Sequence, residues 1–124
     1  MIKTKLLEKP RHFKAKDYDV YDHGSIVLAS ENDNSNEMLS IETKSGKKCD
    51  FSATAWGFYL GPSLNSRLKK EGFRAALMGN KEGQLYAIAV EQDKLDKLQE
   101  YLKRNSCEIL CWLDQWKTGD VIGK

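Results

Sequence analysis

The chain has 124 residues, 40% apolar and 31% charged, with a formal net charge of +2, the composition of one folded domain rather than a disordered tail or a fibre. Its longest apolar run, Leu85 to Val90, falls far short of the roughly 20 residues that cross a bilayer, so no transmembrane helix and no membrane partner are expected. The opening residues MIKTKLLEKP turn charged before any apolar run, and three cysteines cannot all pair within one chain, which together predict a reducing compartment, the cytoplasm.

In chain order, Ile2 to Leu7 and Phe13 read as a short edge strand, because the period is poor and Pro10 interrupts it. Gly24 and the run ENDNSNE bracket Ser25 to Ser30, the mark of a buried strand followed by a polar loop. Met38, Ser40 and Glu42 alternate with Leu39, Ile41 and Thr43, and Lys44-Ser45-Gly46-Lys47 leads into a second alternating run. Residues 37–55 therefore read as a β-hairpin. In its second arm, Cys49, Phe51, Ala53 and Ala55 share one face and Asp50, Ser52 and Thr54 the other, which predicts one buried and one wet face.

The stretch GPSLNSRLKKEGF carries start and stop signals for a short helix: Ser63 as N-cap, Leu64 and Leu68 one turn apart, and Gly72 just past the end. FRAALMG and QLYAIAV follow as two strands joined at Asn80 to Gly83, apolar on both faces and hence central. A second helix begins at Asp93 as N-cap, with Leu95, Leu98 and Leu102 as its apolar stripe, and a last strand spans Cys107 to Leu113. From about residue 47 the order strand, helix, strand, strand, helix, strand predicts an α+β fold. In it a ferredoxin-like antiparallel sheet carries both helices on one face, preceded by N-terminal β-strands. The alternative is a half-barrel in which residues 25–55 extend the sheet as a meander around the two helices. Either way the prediction is a single domain over residues 1–124: N-terminal strands and an acidic loop (1–46), an α+β core (47–116) and a tail (117–124).

Charge is sorted along the chain. Residues 1–16 hold six Lys or Arg against Glu8, whereas Asp17 to Glu42 holds seven acids and no Lys or Arg. Such sorting can steer a charged partner, but it equally suits neighbouring surface strands that neutralise each other. A sequence pI near 8.4 is modest for a nucleic-acid binder, and in KEGFRAALM the positions that would stack on bases in an RNA-recognition strand are Ala75, Ala76 and Leu77. Nucleic acid is therefore not an expected partner.

The densest unusual segment is FSATAWGFYLGP, Phe51 to Pro62, where aromatics, glycines and small hydroxyls precede a helix start. Ser52, Thr54, Trp56 and Tyr59, with Ser63 at the cap and Arg67 and Arg74 as donors, are candidate ligand-binding residues for a small anion. Trp112 joins them by strand parity. The same aromatics would equally serve a protein interface or a homodimer, as would Trp112 and Trp116 at the end of the last strand.

A carboxylate near an arginine can be tuned for proton transfer, so in an enzymatic reading Asp50 is the base and Arg74 its partner, in a cofactor-independent isomerisation. Neither a metal nor another cofactor is predicted. Cys107 and Cys111, i and i+4 on a strand, share a face and read as small core residues, while His12 and His23 lie far away in sequence. The leading expectation is a non-catalytic module binding a small anionic ligand or a protein. A third class is a protein antagonist, such as a phage inhibitor or an immunity protein, presenting an acidic surface at Asp17, Asp19 and Asp22.

Overall fold

The computed structural model describes residues 2–16, 18–28 and 35–116. Asp17, the polar loop around Glu31 and Asp33, and the tail 117–124 lie outside the described residues. The architecture is α+β, with three antiparallel sheets and two α-helices. The chain divides into two compact units, one of Met1–Ser40 with Asp50–Gly61 and the other of Ile41–Cys49 with Pro62–Lys124.

In the first unit, β1 (Ile2–Ala15) and β2 (Tyr18–Leu28) form a two-stranded ribbon. The short edge strand predicted at the N-terminus is corrected here to one of 14 residues. Pro10 does not end it, because the ladder breaks there: Leu6 pairs with Gly24 and Arg11 with Asp22, so residues 7–10 stand opposite His23 alone. A proline without an N–H is tolerated where no ladder bond is required. Ser25 to Ser30 was predicted as a buried strand; its described part, residues 25–28, is instead the exposed end of β2, with Ile26 and Val27 open to solvent. The charge sorting resolves into contacts across this ribbon: ion pairs of Arg11 with Asp22 at 3.1 Å and Lys14 with Asp19 at 3.4 Å, and a hydrogen-bond contact of His12 with Asp19 at 2.7 Å.

The second sheet has the order β3 (Glu37–Glu42), β4 (Lys48–Thr54), β5 (Gly57–Leu60). The predicted hairpin at residues 37–55 is present, its turn closed by Thr43 N–H to the Lys47 carbonyl and Gly46 N–H to the Thr43 carbonyl, both at 2.9 Å. The wet face predicted for β4 is not wet throughout, since Ser52 is buried.

The second unit holds the sheet β7 (Leu85–Glu91), β6 (Phe73–Asn80), β8 (Cys107–Trp112), with β6 in the middle. Phe73, Ala75, Ala76 and Met78 are buried, so both faces of β6 are covered as its apolar sequence requires. β7 was also predicted to be central but is an edge strand, with Leu85, Tyr86, Ala87 and Ala89 exposed. The ferredoxin-like order is corrected too: the strand at residues 48–54 pairs with β3 and β5 rather than entering the β7-β6-β8 sheet. Nor do residues 25–55 extend that sheet as a half-barrel. Element order alone does not choose among pairings, and a two-residue turn made β5 the nearest partner for β4.

The helices are α1 (Arg67–Lys70), which packs on β6, and α2 (Leu95–Arg104), which packs on β7 and β8. Ser63 accepts the Arg67 N–H at 2.9 Å on its Oγ, opening a turn that becomes α1, and Leu68 is fully buried. Asp93 is not the N-cap of α2; it lies in a 3-10 turn, Gln92–Lys94, that leads into the helix. In β8 the register slips by one residue: Ile109 faces Met78 but Cys111 faces Leu77, leaving Leu110 unpaired. The bulge reverses parity, so Cys107 and Cys111 occupy opposite faces rather than the shared face predicted.

Candidate binding site: an aromatic hairpin tip

The segment Phe51 to Pro62, singled out in the sequence, is built as the β4–β5 hairpin of the first unit. Ser52 pairs with Tyr59, Ala53 with Phe58 and Thr54 with Gly57, leaving Ala55 and Trp56 as the two-residue loop. Thr54 fixes that loop from both sides: its Oγ1 accepts the Trp56 N–H at 3.2 Å and donates to the Gly57 carbonyl at 3.1 Å. At the base, Gly61 N–H donates to the Asp50 carbonyl at 2.8 Å, and the Asp50 carboxylate lies against Gly61, where no side chain intervenes.

The consequence of this turn is exposure. Trp56 is 75% and Phe58 78% accessible, an uncommon state for large aromatics on a chain with a buried core to offer. The Trp56 ring stacks on Tyr59 with centroids 5.7 Å apart and planes 14° from parallel. Tyr59 is held in turn, its Oη accepting Asn36 Nδ2 at 3.1 Å. The tip thus presents a braced indole and phenol pair beside a projecting phenyl ring. Large rings with few rotatable bonds bury much area for little lost entropy.

The remaining candidates lie in the second unit. Arg74 reaches Asp114 through Nε to Oδ2 at 2.9 Å and Nη2 to Oδ1 at 3.3 Å, with its guanidinium carbon 3.8 Å from the centre of the Trp112 ring. Arg67 is met by Glu71 at 3.1 Å, and Ser63 Oγ is occupied by the Arg67 N–H. So the structure joins Trp56 with Tyr59, Thr54 with Trp56, Ser63 with Arg67, and Arg74 with Trp112. Asp50, Ser52, Thr54, Trp56 and Tyr59 belong to the first unit and Ser63, Arg67, Arg74 and Trp112 to the second.

Two residues escaped the sequence reading. Asp114, the buried counter-ion of Arg74, had only its position after an apolar strand to announce it. Phe58 was noticed only as one of the segment's aromatics and not as a binding residue, and the structure carries it on the short strand β5. No group of three or more His, Cys, Asp or Glu that could hold a metal occurs among the described residues, and none of the three cysteines is in a disulfide. Among the same residues no helix is long and apolar enough to cross a membrane.

Fold and site together define an α+β protein in which, among the described residues, the two most exposed large hydrophobic side chains lie on one hairpin. No protein-family model, curated protein or solved structure matches this chain.

Proposed function

We propose that the chain is a non-catalytic binding module that takes a protein partner at the tip of the β4–β5 hairpin. The observation that carries this reading is the exposure of Trp56 and Phe58, at 75% and 78%, on a turn braced by Thr54. Burying two such rings supplies roughly 2–3 kcal/mol each by area alone, enough for hot-spot residues at the centre of an interface. The protein form of the module is favoured over the small-anion form because the Arg67 and Arg74 charges are already met by Glu71 and Asp114. The enzymatic reading draws no support from Arg74 for the same reason: a guanidinium that forks a buried carboxylate and covers an indole serves the fold. The acidic-antagonist reading is weakened where Asp19 and Asp22 are matched by His12, Lys14 and Arg11.

The test replaces Phe58 with a photo-crosslinking phenylalanine analogue and, in parallel, places the same group at Lys103, an exposed position on α2. A discrete crosslinked species from cell extract is expected at Phe58 and not at Lys103. It should disappear when Trp56→Ala is added, with the circular dichroism spectrum unchanged. Equal crosslinking at both positions, or crosslinking indifferent to Trp56→Ala, would defeat the reading.

A further inference from the structure

Within the second unit, β6, β7 and α2 line an open pocket of about 400 Å³. Its walls are apolar: Phe73 and Met78 from β6, Ile88 and Val90 from β7, Leu98 and Tyr101 from α2. The volume lies within the roughly 300–1,000 Å³ typical of small-molecule sites. Glu91, Lys94 and Lys97 also line it, and the charges of these three do not sum to zero. Glu91 is buried and matched, accepting from Ser45 Oγ and facing Lys94 at 3.5 Å and Lys47 at 3.8 Å. Asp93 is matched by Lys47 at 3.3 Å. Lys97, exposed on α2 and also lining the pocket, is in no ion pair among the described residues.

An apolar pocket lined by one ammonium that is tied into no ion pair is complementary to a molecule that is apolar along most of its length and singly negative at one end. We propose that this pocket binds a small amphiphilic monocarboxylate, its hydrocarbon against Phe73, Met78, Ile88, Val90 and Leu98 and its carboxylate at Lys97. A cationic amphiphile finds no carboxylate to spare, because Glu91 is engaged. A dianion such as a phosphate monoester finds only one unmatched cation. The site is independent of the aromatic hairpin and does not rest on it.

The test is a titration of protein labelled with carbon-13 at methionine and isoleucine methyls, followed by NMR. The probes are octanoate, 1-octanol and octylamine, each kept below its solubility or micelle limit. Saturable shifts of the Met78 and Ile88 methyls are expected, with octanoate binding about three-fold more tightly than 1-octanol, the scale of one exposed charge pair, and octylamine weakest. Lys97→Gln, at an exposed position, should bring octanoate and 1-octanol together while the apolar shifts persist. Lys97→Glu should reverse the order of octanoate and octylamine. Absence of a saturable shift at Met78, equal affinity for octanoate and 1-octanol in the unmodified protein, or a preference for octanoate that survives Lys97→Gln would each overturn the proposal.

Discussion

Asp114 is the residue whose surroundings constrain it most. Its side chain is 1% exposed, and the Arg74 guanidinium that satisfies both its oxygens is itself 25% exposed. A carboxylate taken from water is tolerated only when matched by charge and by hydrogen bonds, and removing one partner leaves the other uncompensated. Arg74→Met is therefore expected to lower unfolding stability by about 3 kcal/mol, read from urea denaturation. Arg74→Lys keeps the charge but loses both the fork and the flat contact with Trp112, so it should fall between wild type and Arg74→Met. The paired change Arg74→Met with Asp114→Asn should recover part of the loss, because no unmatched charge remains. If Arg74→Met cost less than about 1 kcal/mol, the pair would be no more than an ordinary surface contact.

At the scale of elements, local chemistry and the hairpins at residues 37–55 and 73–91 were legible, and the assignment of strands to sheets was not. Gly72 illustrates the first: read as the residue that ends α1, it adopts φ +96° and donates its N–H to the Lys69 carbonyl at 3.0 Å, a conformation costly for any residue with a β-carbon. A β-carbon there would also press on the Lys47 stem at 3.1 Å, a flexible neighbour that can yield. Gly72→Ala should consequently cost about 1–2 kcal/mol, mostly from the backbone, and Gly72→Asn less, since asparagine tolerates left-handed geometry better. Equal losses for the two in thermal unfolding would assign the cost to crowding instead. The Thr43 to Lys47 turn was likewise written in a short stretch of sequence.

Pairing depends on partners distant in the chain. The bulge at Leu110 and the exposure of β7 follow from β6 taking the centre of its sheet, which no alternation within either strand reveals. The candidate site was half legible: Trp56 and Tyr59 drew notice as composition, but β5, only four residues long and opened by Gly57, carries too little alternation to be read as a strand without its pairing to β4. The pocket beneath α2 was not legible at all, because its wall is assembled from three elements whose apolar residues read individually as core.

The chain's charge nearly cancels, +2 from 20 basic and 18 acidic residues, and among the described residues opposite charges are also matched locally in both units, as four carboxylates record. Asp22 is held below its ordinary pKa by the Gly24 N–H and then Arg11, and Asp19 by His12 and Lys14. In the second unit, Glu91 is lowered chiefly by the Ser45 hydroxyl, helped by Lys94 and Lys47, and Asp93 chiefly by Lys47. A carboxyl group with a folded pKa below its unfolded value binds fewer protons when folded. Its stabilisation is therefore complete above the ordinary carboxylate range and is lost as pH falls through the depressed folded value.

Stability from these groups should accordingly be complete near neutral pH, begin to fall as pH approaches 4.5, the ordinary value for Glu91, and decline further below it as all four groups protonate. The direction would be opposite were the carboxylates raised by burial. Ser45→Ala removes the largest cause at Glu91, so a carboxyl-carbon NMR titration should show that residue moving up toward its ordinary value while Asp19 and Asp22 keep theirs. Salt distinguishes the contributions further. The pairs on the β1–β2 ribbon are exposed and screened at high ionic strength, whereas the Arg74 to Asp114 pair is sheltered. Added sodium chloride at pH 7 should thus leave the penalty of Arg74→Met nearly unchanged while abolishing any penalty of Arg11→Met. A penalty of Arg74→Met that salt erased would mean the second unit is held together by surface charge after all.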